Sequence, residues 1–219
     1  MAQKKSAGPE AAEPRAQRRT RANGEQSRER ILDAATEVAT ERGYDGTTIS
    51  LVSKKSGLPP TSIYWHFADK DDLIAAVIER SFQRWLAELD LTEVTPDREW
   101  MTEFGGRVAK ALLDAPDFLR LGLMLSLERR PVEPRAREMF LEVRDRAFHR
   151  FAEMVRQLAP ELGDEGVHLL TTYAIAGADG LFIAKEVGGD SVDLVRLLDL
   201  HVRIVFDMAA KLLEPGEPA

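Results

Sequence analysis

The sequence contains no cysteine, which excludes disulfides and thiolate metal sites. Its four histidines, His66, His149, His168 and His201, are scattered without ligand spacing, so no metal site and no cofactor are expected. There is no Walker-type loop and no Gly-x-Gly-x-x-Gly. Asp199 and His201 are two apart on a predicted helix, so they face different ways and form no catalytic pair. No run of about 18 uncharged apolar residues occurs, so no helix is expected to span a membrane. The polar, basic N-terminus shows no signal peptide. These absences lead us to expect a cytoplasmic protein that is not an enzyme. No stretch carries a strand period, and nothing repeats internally.

An excess of positive charge is also missing: the net charge is −7. That alone argues against a nucleic-acid partner, but the distribution reverses the argument. Residues 1–72 hold 12 Lys/Arg against 11 Asp/Glu, a net of +1, whereas residues 73–219 hold 18 against 26, a net of −8. A local basic footprint can bind phosphate on an acidic protein. The first 24 residues hold six basic and two acidic side chains and no apolar period. They read as a disordered arm, either a DNA-tracking one or a solvated tail.

What is present is helical spacing. From Glu25 to Gly43, Ile31, Ala34 or Ala35, Val38 and Ala39 share one face. Gly43 is a stop, and Asp45-Gly46 is turn chemistry. Thr47-Thr48 offers an N-cap for a short helix that Gly57 ends. Pro59-Pro60 begins the next, where a missing N–H does no harm. Ile63 and Phe67, four apart, bury one face. Two short helices about a glycine turn match a helix-turn-helix, whose second helix presents its first residues to base edges. The candidate DNA contacts are Thr47, Thr48, Ser50, Lys54, Lys55, Pro60, Thr61, Ser62, Tyr64, Trp65, His66 and Lys70. The hydroxyls and cations among them suit phosphates and base edges. Caps and a packed aromatic cluster in an ordinary helical hairpin would use the same residue types.

The pattern Gly43-Tyr44, Thr47-Thr48, Lys54-Lys55, Gly57-Leu58, Tyr64-Trp65-His66-Phe67 and Lys70 resembles the DNA-binding domain of the tetracycline-repressor (TetR/AcrR-type) family of bacterial transcriptional regulators, over roughly residues 27–80. Three departures stand out. Pro59-Pro60-Thr61 replaces a frequent Ser-Lys-Gly, and Ser50 and Leu51 replace polar and acidic residues. The family's base contacts are therefore not carried over.

Asp69 begins a long helix, with Asp72 placed as the second member of a capping box and an apolar stripe running from Leu73 to Leu89. The resemblance makes this helix the lever between two domains. Further helices are predicted over 97–113, 117–129, 133–158, 164–187 and 191–213, with stops at Pro116, Pro131, Pro160 and Gly188-Gly189. The last two are apolar on more than one face, which requires partners on several sides. A homodimer interface through Ala174, Gly177, Leu181, Leu194, Leu198, Val202 and Val205 is the simplest expectation, and the resemblance implies a four-helix interface of this kind. It also implies an effector cavity, with Trp100, Phe104, Met124, Phe140, His168, Tyr173, Asp179 and Phe182 as candidates. Core filling is the alternative for each.

The sequence thus predicts an all-α chain of about nine helices. It divides into an arm (1–24), a helix-turn-helix domain with its connecting helix (25–90), a ligand-binding and dimerisation domain (91–214) and a tail (215–219). The expected function is a one-component transcriptional regulator, most simply a repressor released from a palindromic or near-palindromic double-stranded DNA operator by a small hydrophobic effector. The rivals are a ligand-independent architectural DNA-binding protein and an all-helical enzyme.

Overall fold

Helix α1 (Arg15–Gly46) starts inside the stretch expected as an arm. Between Arg15 and Gly24 the chain holds no proline and is rich in Arg and Ala, good helix formers that let the helix propagate upstream. Residues 15–24 of the expected arm belong to this helix. The computed structural model describes residues 15–89, 98–128 and 134–213. Residues 1–14, the expected boundary at 90/91 and the expected tail lie outside them.

Helix α1 is interrupted at Gly43, whose φ of 68° and ψ of −176° are non-helical, a conformation a Cβ would disfavour. Helix α2 (Ile49–Ser56) is capped by Thr48, whose hydroxyl accepts from the Leu51 N–H at 3.3 Å. It ends at Gly57 in the left-handed region, φ 67°. Helix α3 (Pro60–Tyr64) begins on its proline. Helix α4 (Lys70–Leu89) opens on a reciprocal cap: Asp69 accepts from the Asp72 N–H at 2.9 Å, and Asp72 accepts from the Ala68 N–H at 3.1 Å. Helices α5 (Arg98–Asp114), α6 (Asp117–Leu127), α7 (Arg135–Leu158), α8 (Asp164–Gly188) and α9 (Leu194–Leu213) follow, with a 3-10 turn at Gly189–Ser191. Every regular element among the described residues is helical, as the spacing predicts.

Helix α4 packs on α1, α5, α6 and α7, and its contacts with α1 run from Lys70 to Arg84. Its Phe82 and Trp85 meet Phe118 of α6 with ring centroids 5.7 and 5.3 Å away. One buried cluster runs continuously from Ile31 in α1 through Phe82 to Val202 in α9, so head and body share a core. Hydrophobic burial on this scale is the main term holding helices together.

With its 3-10 extension, Asp164–Ser191, helix α8 is long and apolar enough to cross a membrane, and only 22% of its apolar window is buried. Asp179 interrupts its apolar stretch. Asp179 is held in an ion pair.

Candidate nucleic-acid interface and effector cavity

The turn between α2 and α3 is locked from several sides. The Ser53 hydroxyl donates to the Leu58 carbonyl at 2.7 Å, and Arg30 donates to the Ser56 carbonyl at 2.8 Å. Val52, Ile63 and Phe67 are buried beneath it. These contacts fix α3 so that its other face stands clear. Tyr64 is 56% and Trp65 87% exposed, and two large aromatics side by side in water mark a surface built to meet something.

Ser50, Lys54, Pro60 and Thr61 are exposed as well. Thr48 is exposed but its oxygen serves the cap. Ser62 and His66 are half-buried, His66 lying 6.2 Å from the Phe67 ring. Three expected contacts are placed otherwise. Thr47 is fully buried and donates its hydroxyl to the Gly43 carbonyl at 2.7 Å, where it braces the kink and cannot reach a phosphate. Lys55 is ion-paired with Glu37 and, at 4.0 Å, with Glu41 of α1. Its hydrogen bond to Glu37 holds the ammonium above its ordinary range, so its charge is already answered within the head. Lys70 donates to the Tyr44 carbonyl at 3.2 Å and lies 4.2 Å over the Tyr44 ring. Among the described residues Lys54 has no carboxylate partner.

One carboxylate ties head to body. Asp71, in the first turn of α4, accepts from the Tyr44 hydroxyl at 2.9 Å and from the backbone N–H groups of Arg135 and of Ala136, the latter at 3.1 Å. It thereby caps α7, whose own N-cap, Pro134, has no side-chain cap. A second tie joins Thr40 of α1 to Asp117 of α6 at 2.6 Å. Arg146 of α7 pairs with Glu79 of α4, and Arg120 of α6 with Glu186 of α8 at 2.7 Å.

A cavity of about 100 Å³ lies among α4 to α9. Its wall is apolar, formed by Trp85, Phe104, Phe118, Phe151 and Met154 among others, with Arg144, Asp179 and His201 as its ionisable members. Arg144 and Asp179 form a two-point ion pair at 2.8 and 2.7 Å. Of the expected effector contacts, Phe104 and Asp179 line this cavity. Trp100 stacks behind Phe104 with centroids 4.9 Å apart. Phe140 and Phe182 are buried in the core elsewhere. Met124 is 51% exposed near Gly43. His168 is exposed beside the Phe148 ring at 5.2 Å, and Tyr173 is exposed.

The expected dimer residues mostly face inward. Ala174, Leu198, Val202 and Val205 line the cavity. Leu194 is buried, Leu181 packs on the core, and Gly177 backs the His201 ring. The outward apolar stripe is instead Leu169, Tyr173, Ile183 and Val187 on α8, with Leu200, Ile204 and Met208 on α9. On α8 these recur at three- and four-residue spacing together with the exposed Ala176 and Gly180. Both faces are apolar, so periodicity alone could not say which one the core takes. His201 and Trp85 were missed as cavity residues. His201 sits on the same stripe as Leu194, Leu198 and Val205, and a polar residue on an inward stripe was the available signal.

Residues 31–77 match the family of bacterial regulatory proteins described as the tetR family. The chain is similar to the HTH-type transcriptional regulator SrpR of Pseudomonas putida, 34% identical over 99 residues, covering 45% of this chain and 43% of that relative. It is also similar to the uncharacterized HTH-type transcriptional regulator TtgW, likewise of Pseudomonas putida, 33% identical over 99 residues, covering 45% of this chain and 69% of that protein. The chain thus spans less than half the length of SrpR. Among solved structures, the fatty acid degradation regulator FadR from Bacillus halodurans superposes with a TM-score of 0.68 at 18% identity, covering 82% of this chain and 94% of that one. At that identity the likeness concerns the fold.

Proposed function

Because the chain belongs to the tetR family of bacterial regulatory proteins, we propose that it is a DNA-binding, one-component transcriptional repressor controlled by a small apolar effector. One observation carries the DNA half. On a helix-turn-helix whose turn is locked, Thr61 and Tyr64 of α3, its C-cap Trp65, and Ser50 and Lys54 of α2 are all exposed. Hydroxyls and a cation there can hold phosphates, and the first residues of α3 can meet base edges in a major groove.

The outward stripe of α8 and α9 supports a homodimer. Two copies would cover apolar surface that water otherwise meets, and two heads would read half-sites about 34–36 Å apart. The apolar cavity among α4 to α9 supports an effector. An effector shifts the operator equilibrium only by its preference for one conformation, and Asp71 gives α7, which lines the cavity, a direct hold on the head.

The test is selection of bound duplexes from a random pool by the full chain, followed by titration of the selected duplex with and without candidate effectors. A recovered two-fold symmetric site supports the reading. Failure to enrich any site would sink it.

A further inference from the structure

The cavity wall carries an accounting of charge and hydrogen bonds that narrows what can occupy it. Arg144 and Asp179 neutralise each other through two short hydrogen bonds. His201 bonds through Nε2 to the Ala174 carbonyl at 2.8 Å. A carbonyl only accepts, so Nε2 carries the proton, and in the neutral ring Nδ1 is left as an acceptor. No partner for Nδ1 exists among the described residues. The wall also holds a donor with no acceptor: the indole N–H of Trp85, a residue 5% exposed. The rest of the lining is almost wholly hydrocarbon.

We propose, resting on the effector reading above, that this cavity takes a neutral, ring-sized apolar molecule bearing a hydroxyl group, and selects against carboxylates and ammonium ions. Size follows from volume: apolar cavities of about 150 Å³ take benzene, so a chamber of about 100 Å³ admits no more than one ring, and its wall must widen to take a substituted one. Neutrality follows from the closed Arg144–Asp179 pair. An anion would bring an uncompensated charge into an apolar wall or strip Arg144 from Asp179. A cation would do the reverse. Either leaves a buried charge unpaired, which costs far more than a neutral contact gains. The hydroxyl follows from the two unfilled groups. It can accept from the buried Trp85 Nε1–H, whose unmet state is the costly one, or donate to His201 Nδ1 on the half-buried ring.

The experiment is calorimetric titration of the full chain with four compounds of similar shape: p-cresol, p-xylene, p-toluate and p-methylbenzylammonium. p-Cresol is expected to bind about 3- to 10-fold tighter than p-xylene, the equivalent of one net hydrogen bond, with both ions weaker still. In His201→Phe, p-xylene should bind about as before while the advantage of p-cresol shrinks. Trp85→Phe serves as a second variant should His201→Phe misfold. Tightest binding by p-toluate or by the ammonium overturns this proposal and leaves the effector reading standing. So does equal binding of p-cresol and p-xylene to the parent. Binding of none of the four overturns the proposal, and an effector larger than one ring that still releases the selected operator would keep the broader reading.

Discussion

Replacing Asp71 by alanine removes the carboxylate that serves Tyr44 and the first two N–H groups of α7 at once. Loss of a helix cap costs about 0.5–2 kcal/mol. Hydrogen bonds to a charged group contribute about 1.5–3 kcal/mol. Asp71 is half-buried, so water replaces part of what is lost, and we expect a total of about 2–3 kcal/mol. In a chain of this size each kcal/mol lowers Tm by about 2–4 °C, so Asp71→Ala should melt about 4–12 °C below the parent. Asp71→Asn keeps one acceptor oxygen and should lose about half as much. Asp145→Ala, at an exposed residue paired with the exposed His149, is the control and should change Tm by less than about 2 °C. The assay is calorimetry or circular dichroism of the full chain at fixed protein concentration, because association also moves Tm. An Asp71→Ala protein melting with the control would refute the claim that this carboxylate joins head and body.

Three further outcomes follow from the same geometry. Lys54→Ala should flatten the salt dependence of operator binding by about 0.9 per head, whereas Lys55→Ala, already neutralised by Glu37, should leave the slope nearly unchanged; equal effects in filter-binding titrations would contradict this. Ile183→Asp places a charge in the outward stripe of α8 and should halve the mass seen by sedimentation, and a parent that sediments as a monomer would rule out the stripe as an interface. Glu79 is held below its ordinary value of 4.5 by the hydrogen bond from Arg146, with Arg146 held above its own. A depressed carboxylate stabilises the fold above the unfolded value and loses that contribution as pH falls through the folded one. Glu79→Gln should therefore melt slightly below the parent at pH 7, by the equivalent of under about 1 kcal/mol for so exposed a pair, and the two curves should converge below pH 4.5. A difference that persists in acid would show that the effect is not ionic.

The reading head was legible because its signals are local. Thr48 caps, Gly57 stops and Pro60 starts within a short span of one another, and the structure uses each as its chemistry suggests. What failed depended on neighbours distant in sequence. Whether Thr47 faced solvent turned on the kink at Gly43, and whether Lys55 was free turned on Glu37 and Glu41 of α1. The body was legible as helices but not as faces. Leu198 and Val202 turned inward and Leu200 and Ile204 outward, since two apolar faces give one periodicity and two answers. The upstream extension of α1 was hidden by composition: Arg and Ala suit a helix as well as a basic tail.

Gly177 lies outside the cavity wall, yet a Cβ there would come within 2.2 Å of the His201 ring. Any larger residue at that position forces the imidazole or the α8 backbone that it bonds at Ala174 to shift. The polar point of the chamber can therefore be relocated by a change one layer behind it, while every residue that touches the chamber stays the same. For evolution or for a protein engineer, position 177 is an indirect dial on chemical preference, reachable by a single substitution and overlooked by any library confined to the lining.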